Sequence, residues 1–175
     1  LGCGGTIIKK KRLGAEVNIV ILTDGARSHP GLVSESLLKS IRAREALAAS
    51  ATMGVEENNV HFLEFADGNL RKDLSCAIDR VGQILLRYQP QEIYIPYHKD
   101  RDPTLDHIAT NALFTSALRT CRVKTIIYEY PIWFWNHWPW IKVSTNNPQK
   151  IFMVLKKSLI SGLGLLGDMR CSVYI

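Results

Sequence analysis

Four short runs rich in β-branched and aromatic residues recur along this chain: EVNIVIL (16–22), VHFL (60–63), EIYIP (92–96) and TIIYEY (125–130). A stretch of helical length and spacing separates each from the next. Strands that alternate with helices pair through right-handed βαβ crossovers, which make a mostly parallel sheet with helices on its faces. The fold class is α/β. Capping chemistry delimits the helices: Thr6 to Leu13 ending at Gly14, Ser34 opening a helix through Met53 that stops at Gly54, then Asp73 to Tyr88 and Asp106 to Thr120.

After Tyr130 the alternation gives way to an aromatic segment, PIWFWNHWPW, then a basic and apolar helix over 148–163 and a closing strand, RCSVYI. With 175 residues, 46% of them hydrophobic, the chain is read as one domain over 1–175. The +6 charge includes KKKR at 9–12, read as a solvated helix face; without zinc-finger spacing or an RNA-binding signature, nucleic acid is not an expected partner. Four scattered cysteines without a CxxC pair read as free thiols in a reducing cytosol, so the expected location is cytoplasmic. Trp133, Phe134, Trp135, Trp138 and Trp140 are read as buried core or as an interface between copies in a homo-oligomer, in preference to a sugar platform. For the helix that follows, internal packing is preferred to contact with an anionic membrane.

In an open α/β sheet, ligands bind beyond the carboxyl ends of the strands. The loops there are TDGARSHP, EFADGN and YHKDRDPTLDH. In the last, His107 follows Asp106 at a helix start, where an imidazole flanked by carboxylates suits a metal ligand but equally a capping or surface residue. Asp24-Gly25 and Asp67-Gly68 either line a pocket or make turns. Arg42 and Glu45 either meet a substrate or trade charge on a helix face. The opening GCGG lacks the spacing of a dinucleotide fingerprint or a P-loop, and a glycine cluster entering a helix usually follows a strand, which this chain does not carry.

LGCGGT, VILTDG, IRAREA, VHFLEFADGNL and DPTLDHIAT follow one another in an order that resembles the LmbE-like, or PIG-L type, N-acetylglucosaminyl deacetylase family, over about residues 1–130. The resemblance implies a Rossmann-like three-layer sandwich that uses zinc or another divalent metal to hydrolyse the acetamide of an N-acetylglucosamine-type conjugate, a small-molecule partner. It implies that an HPDDE-bearing first strand, with two metal ligands and the general base, precedes Leu1, so that the domain is cut short at both ends. His107 then matches the third ligand and Asp106 the adjacent catalytic carboxylate that supports the active-site hydrogen bonds. Arg42, Asp24, Gly25 and Asp67 match substrate-pocket positions. Where relatives have HPDH this chain has Thr104-Leu105-Asp106-His107, and a threonine cannot protonate a leaving amine. His98 and His137 are the candidates to replace it. One imidazole is no chelate, so this polypeptide alone is expected to hold zinc weakly. A catalytically silent sugar- or phosphate-ligand binding relative is the alternative function.

Overall fold

The computed structural model describes residues 2–27, 33–100 and 105–132. Helix α1 (Gly4–Arg12) ends as Gly14 takes a left-handed φ of 81°, and Lys9 to Arg12 occupy its last turn, where cations complement the helix dipole. Strand β1 (Ile19–Thr23) leads to α2 (Glu35–Thr52). The Ser34 hydroxyl caps α2 by accepting from the Leu37 amide at 3.3 Å, and Gly54 stops it at φ 80°. A single 3₁₀ turn (Glu57–Asn59) precedes β2 (Val60–Phe65), and a second (Leu70–Asp73) opens α3 (Leu74–Tyr88). Then come β3 (Glu92–Pro96), α4 (Asp106–Cys121) and β4 (Ile126–Tyr130).

Both strand pairings are parallel, as alternation of strands and helices requires. β1 aligns Ile19 with Val60, and β3 aligns Glu92 with Ile126 through to Pro96 with Tyr130. Each pair is one βαβ unit, closed by α2 or α4. The two pairs are separate ladders among the described residues rather than one continuous sheet. The first ladder slips by one residue between Ile21 and Thr23, where Glu64 adopts φ 54°. Arg80 of α3 donates to the Leu63 carbonyl at 2.6 Å beside that slip and lies over the Phe65 ring.

A single apolar cluster joins the two pairs. Leu22, Leu63, Phe65, Ile93 and Ile95 of the strands pack with Ala77, Val81 and Leu85 of α3 and Leu113, Phe114 and Ala117 of α4. Fully burying a side chain of this size contributes about 1.5–3 kcal/mol, so this layer holds the halves in register without shared strand hydrogen bonds. Leu38 and Val55 are buried outside the cluster, on elements flanking the first pair. Lys10 of α1 bonds Glu92 at the start of β3, and Lys11 pairs with Glu56 before β2, so this helix ties to both halves.

Cys3, Cys76 and Cys121 carry free thiols. Among the described residues no helix is long and apolar enough to cross a membrane. The aromatic segment from Trp133, the helix expected over 148–163, the RCSVYI strand, Cys171, Thr104 and His137 lie outside the described residues.

Candidate active site

The loops at the carboxyl ends of the strands are braced by three aspartates. Asp24 Oδ1 accepts from the Ala26 amide at 3.1 Å and, across to the next loop, from the Asp67 amide at 3.2 Å. Asp67 Oδ2 accepts in return from the Arg27 amide at 3.1 Å. Asp106, at the first position of α4, accepts from the Gly68 amide at 2.7 Å through Oδ2 and from the Leu70 amide at 3.2 Å through Oδ1. A carboxylate accepts only, so each bond is charge-assisted and worth more than a neutral one. Asp24 and Asp67 thus do turn chemistry, extended across two loops, while Asp106 carries the brace from the first half of the fold to the second.

Gly25 joins the same network. Its φ of 66° is a conformation that side chains rarely adopt, and a Cβ there would come within 3.2 Å of Arg42 Cγ. The stem of Arg42 therefore lies against the loop after β1, and its guanidinium meets Glu45 at 2.6 Å, half-exposed. The structure connects Arg42, Gly25, Asp24, Asp67, Asp106 and His107 into one rim, through contact, hydrogen bond and chain neighbour.

Leu105, at the N-cap position of α4, holds a left-handed φ of 64°, which costs a residue with a Cβ about 1–2 kcal/mol. It turns the chain so that Asp106 enters the interior, 7% exposed, with His107 beside it. His107 Nδ1 lies 2.6 Å from Asp100 Oδ2, and the Asp100 side chain is 3% exposed. Since the carboxylate can only accept, Nδ1 carries the hydrogen, and the neutral ring then holds its lone pair on Nε2, the form a metal ion takes. The Asp100 amide bonds the Tyr97 carbonyl at 2.9 Å, which keeps the carboxylate in a tight turn off β3.

Two further groups surround this pair. Tyr130, at the end of β4, has its phenol pushed up by burial first, and then by Cys3 and Asp100. Cys3 is hydrogen-bonded to it, its own thiol raised by burial. A Cβ on Gly2 would overlap the Tyr130 ring, so the glycine cluster lets the start of α1 close on the end of β4. One turn along α4 from His107, Asn111 donates to the Pro96 carbonyl at 2.8 Å and to Glu129 Oε1 at 2.6 Å. Glu129 in turn holds His98 Nδ1 at 2.8 Å.

Asp100, Asn111, Glu129 and Tyr130 were not expected from sequence. Asp100 stands seven residues before its partner and outside α4, where that separation marks no common face. Glu129 lies within the TIIYEY strand run, where its letter alone assigns it no role.

A zinc or other divalent ion was expected here. His107, oriented by a buried carboxylate, has the chemistry of one ligand. Among the described residues no group of three His, Cys, Asp or Glu side chains comes together for a metal ion. The described residues alone therefore do not make a chelate, whose structural or catalytic form needs at least three protein ligands.

Comparison with known proteins adds a family and a fold. The family model of PIG-L, GlcNAc-PI de-N-acetylase, matches residues 1–118. The N,N'-diacetylchitobiose deacetylase of Pyrococcus horikoshii superposes with a TM-score of 0.65 at 24% identity, over 74% of this chain and 54% of that one. A conserved protein of Thermus thermophilus gives 0.60 at 26% identity, over 75% of this chain and 60% of that one. The 4-carboxy-2-hydroxymuconate hydratase GalB of Pseudomonas putida gives 0.65 at 19% identity, over 98% and 85%. The chain spans little more than half the length of the first two, and the Rossmann-like α/β fold is common to all three.

Proposed function

This chain belongs to the PIG-L, GlcNAc-PI de-N-acetylase, family, and on that premise we propose that it serves a metal-dependent N-deacetylase acting on an N-acetylglucosamine-type conjugate in the cytoplasm. The observation that carries the reading is the Asp100–His107 pair, an imidazole at a helix start whose Nδ1 is held by a buried carboxylate at the mouth of the strand ends. A fold that also supports a hydratase does not specify chemistry by itself, so the weight rests on this pair and on the family.

In this reading His107 is one ligand of the metal ion, and the remaining ligands come from outside the described residues. The ion supplies Lewis acidity toward an acetamide carbonyl. Asp100 fixes the tautomer and ring plane of His107, a support whose loss in metal sites costs about 10–100-fold in affinity or activity. Asp106 supports the site by holding Gly68 and Leu70, so the loop after β2 keeps its place beside His107. Arg42, laid over Gly25, offers a planar fork to sugar hydroxyls or an anionic aglycone at the rim. Asp24 and Asp67 tie the two neighbouring loops together through each other's backbone.

The test is acetate release from N-acetylglucosaminyl conjugates by the full-length metal-loaded protein. Release by the wild type and its loss in His107→Ala support the proposal. Binding of the conjugate with no acetate released favours the ligand-binding alternative and overturns the enzyme.

A further inference from the structure

Amide hydrolysis needs a proton for the departing nitrogen, because an amine leaves poorly as an anion. The threonine at 104 cannot supply it, and neither can Asp106, whose two oxygens accept from backbone amides. At the ends of β3 and β4 a chain of hydrogen bonds runs from the interior outward. Asn111, buried on α4, anchors to the Pro96 carbonyl and donates to Glu129, and Glu129 accepts from His98 Nδ1 with both oxygens, at 2.8 and 3.1 Å. Exposure rises along it: Asn111 is 8% exposed, the Glu129 side chain 31% and the His98 side chain 46%.

An ordinary surface ion pair pins neither partner, since two mobile side chains meet in water. This one differs on both sides. Glu129 is held by a buried amide that is itself bonded to backbone, and the His98 ring packs against Tyr97 with centroids 4.5 Å apart. The chain thus presents an imidazole at a set position, Nδ1 inward and Nε2 outward. With Nδ1–H directed to the carboxylate, a proton on the imidazolium's Nε2 is the one that faces outward. Asn111 and His107 lie one turn apart on α4, so the array and the Asp100–His107 pair share one end of the fold.

We propose that His98 is the general acid of the deacetylation, with Glu129 and Asn111 as its positioning residues; this rests on the deacetylase reading above. Water adds to the acetamide carbon, the C–N bond breaks, and His98 Nε2 delivers its proton to the departing nitrogen, giving the free amine and acetate. The attacking water gives up both its protons to solvent on the way to acetate, and the imidazole takes one back before the next turnover, so each turnover releases one proton.

The experiment compares two acetyl substrates with the full-length metal-loaded protein and with His98→Gln. The first is an N-acetylglucosaminyl conjugate, whose amine must be protonated to leave. The second is an aryl acetate, whose phenolate leaves unaided. The expected result is a fall of about 100-fold or more in amide turnover with ester turnover retained. Glu129→Gln should lower kcat for the amide while keeping KM. Equal loss of both activities in His98→Gln, or amide turnover unchanged, overturns the assignment. If the wild type cleaves the ester but not the amide, the deacetylase reading fails first and the acid with it.

Discussion

Replacing Asp106 with alanine removes the acceptor of two backbone amides at once. Gly68 N and Leu70 N bond its two oxygens at 2.7 and 3.2 Å, and Leu70 is fully buried at 0% exposure. Leaving a buried donor without a partner costs about 1–3 kcal/mol, and a bond to a charged acceptor is worth about 1.5–3 kcal/mol. The Leu70 amide has no route to water without local opening, whereas the Gly68 loop can partly rehydrate, so the expected loss is about 3–4 kcal/mol. Asp106→Asn keeps one acceptor oxygen but turns an NH₂ toward the second amide, and should cost about half as much. Urea unfolding followed by far-UV circular dichroism gives the stability change, and amide hydrogen exchange locates it. Asp106→Ala should speed exchange at Gly68 and Leu70 far more than at the α3 amides. A stability loss below about 1 kcal/mol, or protection at Leu70 unchanged, would refute the bracing role.

The remaining predictions concern neighbouring parts of the rim and the fold. Gly25→Ala should destabilise by about 1–2 kcal/mol through its left-handed φ, with a further cost from crowding of Arg42 Cγ; thermal melts of Gly25→Ala with and without Arg42→Ala separate the two, and full recovery in the double variant would show that the backbone is unstrained. His61 is lowered from its usual 6.5 by burial and then by Arg87, so its neutral form favours the fold. That contribution is complete above pH 6.5 and is lost as pH falls through the lower folded value. Melting temperature should decline across that acid range in the wild type and less so in His61→Asn; parallel curves would remove the claim.

Much of the fold was legible because its signals are local. Ser34, Gly14 and Gly54 announce helix ends through side-chain capping and left-handed φ, and the structure places α2 and α1 between them. Strand runs are legible for the same reason, although the first was expected from Glu16 and β1 begins at Ile19. Asn18, just before it, spends its side chain on Glu16 and His61 instead. The division into two ladders was not legible, since periodicity says which residues are buried and nothing about which strands bond. The two 3₁₀ turns carry no strong local signal, and the second depends on Asp106, 36 residues away from Leu70.

The site shows the same divide. Asp24-Gly25 and Asp67-Gly68 have identical letters as turn formers and as pocket liners, and only the mutual bonds between their loops show the bracing. His107 was legible from its place at a helix start, but its partner was not, because a seven-residue separation outside one regular element does not announce a contact. His98 and His137 read alike in sequence; Glu129 and Asn111 hold His98, and His137 lies outside the described residues.

On the proposed function, His107, oriented by Asp100, coordinates the metal ion on which activity depends. Zinc titration of the full-length protein by calorimetry, with wild type, His107→Ala and Asp100→Asn side by side, tests it most directly. The expected result is one tight zinc per chain in the wild type, loss of that site in His107→Ala, and about 10–100-fold weaker binding in Asp100→Asn with the fold retained. Wild-type zinc affinity in a folded His107→Ala protein would contradict it.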